Sequence, residues 1–317
     1  MRIALLDDYQ DVALRMAPWE RLPAPCEVVA FNDHLAGEDD LVQRLAGFDA
    51  LMAMRERTPL PARVLARLPR LRLIVTAGMR NVAIDMEAAR RQGIVVCGSA
   101  GLPYPTAELA IGLMLAWARS IAREDRALRD GKWQTSLGVG LNGKTLGIVG
   151  LGRLGSRVAK IANALEMQVL AWSPNLTDER AREAGATRVD KDDLFARADF
   201  VSIHLVLSDR SRHLVGAREL GLMKRTACLV NTSRSAIVDE PALLTALHGG
   251  VIAGAALDVH PAEPLPMDHP LRSAPNTVLT PHLGYVTEET YRSFYGDALE
   301  DIEAFLRGSP VRVLNAG

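Results

Sequence analysis

Short apolar runs alternate with helical patterns along almost the whole chain, as parallel-sheet α/β architecture requires. In the first third, "RIALL", "EVVAF", "DALMAM", "LRLIVT" and "GIVVC" predict strands, with helix-like stretches such as "DDLVQRLAG" and "PARVLARL" between them. Pro103 and Pro105 then punctuate the chain, and Thr106 is placed to cap a long helix running to about Asp130, stopped by Gly131. From Lys144 a second series begins, with strands predicted at "TLGIVG", "MQVLAW", "FVSIH", "CLVN", "AGAALD" and "TVLT". The closing stretch "VTEETYRSFYGDALEDIEAFLRG" carries an amphipathic helical pattern that ends at Gly308. Two successive α/β units and a final helix are expected.

A length of 317 residues suits two domains rather than one core. Lys+Arg (37) and Asp+Glu (38) nearly balance, which argues against a nucleic-acid surface. The apolar stretch "ELAIGLMLAWARSIA" is broken by Glu108 and Arg119 and falls short of the ~20 apolar residues of a membrane span. "MRIALLDDYQ" is no signal peptide, since two aspartates follow only a few apolar residues. Cys26, Cys97 and Cys228 are far apart and form no CxxC pair; free thiols and a cytoplasmic location are expected, with no metal site.

Chemistry enters at "VGLGRLG", where Gly150, Gly152 and Gly155 have the G-x-G-x-x-G spacing. The first glycine permits a tight turn, the second lets the backbone approach a pyrophosphate, and the third lets the next helix pack close to the strand. The helix "RLGSRVAKIANAL" then aims its free N–H groups at the phosphates. A carboxylate is normally expected ~20 residues on, bound to a ribose 2′-hydroxyl. Here "VLAWSPN" puts Ser173 at that place. Serine can hydrogen-bond a 2′-hydroxyl but does not repel a 2′-phosphate, and no arginine adjoins it: Arg180 and Arg182 lie several residues on, in the next helix. The cofactor is therefore expected to be NAD or NADP, with a lean to NAD.

Three later loops follow strand ends, where ligands of open α/β sheets bind. They carry Arg234 in "LVNTSRSAIVDE", Asp258 and Glu263 in "AALDVHPAEPL", and His282 in "TVLTPHLGY". An arginine, a histidine and a carboxylate suit hydride transfer to a 2-keto acid. Guanidinium clamps the substrate carboxylate, imidazole gives a proton to the carbonyl oxygen, and a carboxylate on the other ring nitrogen holds the tautomer. His260, close to Glu263, competes with His282 for that role, and His204 is placed to line a cofactor cleft.

The segments "GKTLGIVGLGRLGSRVA", "VSIHLVLSDRSRHLV", "LVNTSRSAIVDEPAL", "AALDVHPAEPLP" and "TPHLGY" resemble, in order and spacing, the D-isomer-specific 2-hydroxyacid dehydrogenase family. The resemblance covers essentially the whole chain and implies two Rossmann-like, doubly wound parallel-sheet domains with a cleft between them. Residues 1–101 plus 286–317 would form a flavodoxin-like substrate-binding domain, and 102–285 the dinucleotide-binding Rossmann domain. The implied catalytic set is Arg234, Glu263 and His282. The implied cofactor contacts add Arg153, Leu154, Thr232 and Asp258 to Gly150, Gly152, Gly155, Ser173 and His204. "VTAGMRNVAID" resembles the family's substrate-carboxylate loop, so Met79 and Arg80 join Arg55, Arg234 and His282 as expected substrate contacts. The long helix after Thr106 resembles the family's dimerisation segment, which implies a homodimer.

Glu263 separates the chain from formate dehydrogenases, which carry glutamine there, and so favours proton-coupled carbonyl chemistry. Ser235 replaces the family's usual glycine after the arginine, Val206 its usual proline, and Met79–Arg80 a small, glycine-rich pair. The expected activity is NAD(P)H-dependent reduction of a small 2-keto acid, such as glyoxylate or hydroxypyruvate, to a D-2-hydroxy acid. Phosphoglycerate dehydrogenase and a non-catalytic, dinucleotide-sensing co-repressor are the alternatives.

Overall fold

Strands that are buried on both faces need continuous apolar runs, and the runs of the first third form such strands in the computed structural model, which describes residues 1–316. The chain divides into two units, Met1–Leu102 with the chain from Val286 onward, and Pro103–Tyr285.

The first unit holds a five-stranded parallel sheet of β1 (Arg2–Leu5), β2 (Glu27–Ala30), β3 (Ala50–Ala53), β4 (Leu73–Thr76) and β5 (Val95–Gly98), in the order β2-β1-β3-β4-β5. Ala4, Leu51, Ala53, Ile74 and Val96 bury one face against Leu41, Leu45, Val64, Leu65 and Ala89 of three helices. The helix Glu288–Leu306 packs against β4 and β5, and Thr287 caps it by accepting the Thr290 N–H. Its Tyr295 meets Trp19 edge-on at 6.3 Å. The tail beyond this helix lies along β5: Leu314 N–H donates to Val96 O at 2.7 Å, and Gly98 N–H to Arg312 O at 3.0 Å.

The second unit holds a seven-stranded parallel sheet: β6 (Thr145–Val149), β7 (Gln168–Trp172), β8 (Thr187–Arg188), β9 (Phe200–Ile203), β10 (Cys228–Asn231), β11 (Gly254–Leu257) and β12 (Thr277–Leu279). Their order is β12-β11-β10-β9-β6-β7-β8. Strand order reverses between β6 and β9, the switch point at which open α/β sheets hold ligands. Apolar clusters cover both faces, one centred on Ile148, Val158 and Val230, the other on Val149, Phe195 and Leu229.

The long helix expected over 106–130 is two helices, Pro105–Ala118 and Ile121–Arg129. Ser120 between them sits at φ +51°, in the left-handed region that ends an α-helix. The Ala118 carbonyl is taken instead by the returning chain, through Val139 N–H at 2.7 Å. Thr106 is not the cap. Pro105 occupies the first helical turn, where its missing N–H costs nothing, and the Thr106 hydroxyl donates to Gly284 O at 2.8 Å. Cys97 and Cys228 are buried thiols; burial pushes Cys97 up to about 12. Among the described residues no helix is long and apolar enough to cross a membrane, and no group of three or more His, Cys, Asp or Glu could hold a metal ion.

Candidate active site

Loops leaving the carboxyl ends of β10, β11 and β12 carry Arg234, Asp258, Glu263 and His282. Asn231 ends β10 and shapes the first loop: its side chain donates to Arg234 O and accepts from Ser233 N–H, each at 3.0 Å. Arg234 is half-buried, with Nη1 donating to Ser233 O at 2.8 Å.

Asp258 is fully buried and latches the β12 loop. Its carboxylate accepts the Thr280 hydroxyl at 2.6 Å, Leu283 N–H at 2.7 Å and Gly284 N–H at 2.8 Å. Burial raises its pKa against these bonds and against the nearby His282. Within the latched loop His282 takes φ +56°, and its Nδ1 lies 2.6 Å from Glu263 Oε2. A carboxylate only accepts, so Nδ1 carries the hydrogen and Nε2, with no protein partner among the described residues, is left to a ligand. The other Glu263 oxygen accepts His260 N–H at 3.0 Å.

His260 itself is engaged elsewhere. Its Nε2 donates to Thr280 O at 2.9 Å and its Nδ1 is buried, so it braces the loop that holds His282. Of the two histidines that the sequence left in competition, His282 meets Glu263 through its ring and His260 only through its peptide N–H.

At the switch point, Gly150 has φ +105°, and a Cβ there would meet the His204 carbonyl carbon at 2.8 Å. A Cβ on Gly155 would lie 2.2 Å from Gly150 O, while one on Gly152 meets nothing within 4 Å. Only the middle glycine faces open room. The helix Arg153–Ala164 starts there without a side-chain cap, leaving first-turn N–H groups, including those of Arg153 and Leu154, for an anion. The Ser173 hydroxyl, at the end of β7, accepts Leu151 N–H at 2.9 Å. His204, after β9, shares a hydrogen bond of 2.8 Å with Ser202, and burial pushes its imidazole down to about 4. Thr232, after β10, keeps a buried hydroxyl oxygen without a protein partner. Turn, helix start and orphaned hydroxyl together fit a dinucleotide.

A cavity of about 360 Å³ opens beside this turn, lined by Gly150, Gly152, Ser173 and His204 among others. Arg180 and Arg210 line it too. Sequence spacing set Arg180 aside and gave no signal for Arg210; Asn231 was legible only as a polar residue closing an apolar run.

In the first unit, Arg55, Met79 and Arg80 lie in the loops after β3 and β4. Arg55 holds φ +58°, with its carbonyl accepting Asn81 Nδ2 at 2.5 Å and its Nη1 donating to Ala77 O at 3.3 Å. Gly78, at φ +100°, is where the Arg55 guanidinium lies against the backbone: a Cβ would fall 2.2 Å from Nη1. Met79 and Arg80 are exposed.

Residues 111–284 match the model of the D-isomer specific 2-hydroxyacid dehydrogenase NAD binding domain. A glyoxylate reductase of Aeropyrum pernix is 44% identical over 263 residues, covering 80% of this chain and 78% of that protein. A D-3-phosphoglycerate dehydrogenase of Synechocystis is 40% identical over 278 residues, 87% of this chain but only 50% of that protein. The chain thus spans about half the length of that relative. The crystal structure of a phosphoglycerate oxidoreductase from Vibrio cholerae superposes with TM-score 0.92 at 38% identity, over 98% of this chain and 100% of that one.

Proposed function

The chain belongs to the D-isomer-specific 2-hydroxyacid dehydrogenase family, and from that premise we propose that it reduces a small 2-keto acid to a D-2-hydroxy acid with NAD(P)H. The observation that carries this reading is the 2.6 Å pair of Glu263 and His282 on a loop latched by Asp258.

A bound dihydronicotinamide supplies hydride to the keto carbon. Arg234 binds the substrate carboxylate through parallel N–H donors and polarises the neighbouring carbonyl. His282, with Nδ1–H held on Glu263, gives the Nε2 proton to the carbonyl oxygen as the alkoxide forms. Asp258 positions the histidine loop and lies where the family's contact to the nicotinamide amide is expected. Gly150, Gly152, Arg153, Leu154 and Gly155 hold the pyrophosphate, Ser173 the ribose, and His204 and Thr232 line the remainder of the dinucleotide site. Arg55, Met79 and Arg80 bind substrate on the first unit, the substrate-binding domain, while 102–285 is the dinucleotide domain.

We place the protein in the cytoplasm, where the free thiols of Cys26, Cys97 and Cys228 persist. We also take it to be a homodimer, joined over the segment in which Trp133 is 77%, Leu137 97% and Val139 40% exposed. The glyoxylate reductase relative favours glyoxylate as substrate. Arg55 and Arg80 together favour a second reading, a phosphorylated keto acid such as phosphohydroxypyruvate.

Initial rates on glyoxylate, hydroxypyruvate and phosphohydroxypyruvate, with NADH and NADPH side by side, test both. Reduction is the expected direction near neutral pH. No turnover on the panel together with tight NADH binding would replace the enzyme reading with a dinucleotide-sensing scaffold.

A further inference from the structure

The lean toward NAD rested on the lack of an arginine next to Ser173. In the folded chain two arginines reach that place from elsewhere. The cavity beside the glycine turn is lined by Ser173 and Asn175 from the loop after β7, by Arg180, and by Ser208, Arg210 and Ser211 from the loop after β9.

Local structure explains how the guanidinium groups are brought there. Leu176 N–H bonds Ser173 O at 3.2 Å, turning the chain sharply after β7. Thr177 then caps the helix Asp178–Glu183 by accepting Arg180 N–H at 3.3 Å, which sets Arg180 in the first turn. In the other loop the Ser211 hydroxyl donates to Val206 O and accepts Ser208 N–H, each at 2.8 Å, folding residues 206–211 back on themselves with Arg210 exposed.

The charge balance of the cavity is one-sided. No aspartate or glutamate lines it. The acids of the helix's first turn are already taken, Asp178 by Arg188 and Glu179 by Arg182, each at 3.3 Å. Among the described residues the side chains of Arg180 and Arg210 have no ion-pair or hydrogen-bond partner, unlike Arg182, Arg188 and Arg218 of the same unit. Ser173 accepts from Leu151 N–H, so its own O–H remains free to donate into the cavity. Two unpaired guanidinium groups, a hydroxyl donor and an amide at the ribose end of a dinucleotide site form a receptor for a dianion.

We propose that this cavity binds the 2′-phosphate of NADP(H), with Arg180 and Arg210 as its cationic contacts and Ser173 and Asn175 as neutral donors. The chain is thereby an NADPH-preferring enzyme whose selectivity comes from two separate loops rather than from an arginine adjoining the serine. This rests on the dinucleotide reading of the glycine turn above.

The test is equilibrium binding without substrate, read by dihydronicotinamide fluorescence on the full chain, for NADPH and NADH at low salt and in 0.5 M KCl. Charge-assisted contacts of this kind imply NADPH binding about tenfold or more tighter than NADH, an advantage that shrinks with salt. 2′,5′-ADP should displace NADPH better than 5′-ADP by a similar factor. The double variant Arg180→Gln/Arg210→Gln should lose most of that advantage, with NADPH affinity falling far more than NADH affinity. Ser173→Asp, which adds a carboxylate to the cavity, should reverse the preference. NADH bound as tightly as NADPH, or more tightly, would overturn this inference and leave the dinucleotide reading standing. Failure of both nucleotides to bind would overturn both.

Discussion

At His282 the backbone takes φ +56°, which few residues other than glycine adopt, and the position is held by contacts on each side. Its peptide N–H turns back onto Thr280 O at 3.0 Å, and its ring is fixed to Glu263. With Nδ1 committed as donor, the proposed mechanism leaves the ring one defined nitrogen, Nε2, for substrate. On the proposed mechanism, His282→Ala would remove the proton donor and Arg234→Ala the carboxylate clamp. Each is expected to lower kcat/KM by roughly 10²–10⁴-fold or more while dinucleotide affinity stays nearly unchanged. Near-normal turnover in either variant would sink the assignment. His204 offers a second test. Burial lowers its folded pKa to about 4 from an ordinary value of 6.5, so between these values the unfolded chain binds more protons than the folded one. Its contribution to stability is therefore complete above pH 6.5 and is lost as pH falls toward 4. His204→Gln should melt progressively closer to, or above, the unaltered protein as pH drops through that window. A melting difference independent of pH would contradict this account.

The Asp258 latch joins β11 to the loop after β12 that carries His282. Replacing Asp258 by Asn keeps one acceptor oxygen but sets an amide N–H₂ against the Gly284 N–H or its neighbours. A loss of about 1–3 kcal/mol in urea unfolding is expected, with a fall in kcat as the loop loosens. Unchanged stability would show that the three bonds are not retained in solution. At this scale the sequence is most legible where one segment carries its own signal. The glycine turn, the apolar strands and the strand-end positions of Arg234 and His282 are all local. The break at Ser120 is not, because nothing in "ARSIA" disfavours a helix and the Ala118 carbonyl is claimed by Val139 far along the chain. The strand β8, two exposed residues long, has no apolar run to announce it. Arg180 and Arg210 are similarly illegible: neither adjoins Ser173 in sequence, and only the fold of two loops brings them to one cavity.

For the whole molecule, the exposed Trp133, Leu137 and Val139 form an apolar stretch that a lone chain leaves in water. Sedimentation at micromolar concentration should find two copies together, and Trp133→Ser with Leu137→Ser should shift the equilibrium to single chains with the fold retained. A monomeric unaltered protein would rule out the homodimer. The helix Glu288–Leu306 and the tail along β5 have a different consequence, one of timing. Residues 1–102 leave the ribosome before residues 103–285, yet the surface over β4 and β5 stays uncovered until the helix Glu288–Leu306 emerges after both. All of 103–285 is synthesised in between and carries a complete seven-stranded sheet of its own. The usual order, in which the earlier part of a nascent chain finishes first, is inverted here: the inserted unit can close while the first unit waits for the helix Glu288–Leu306.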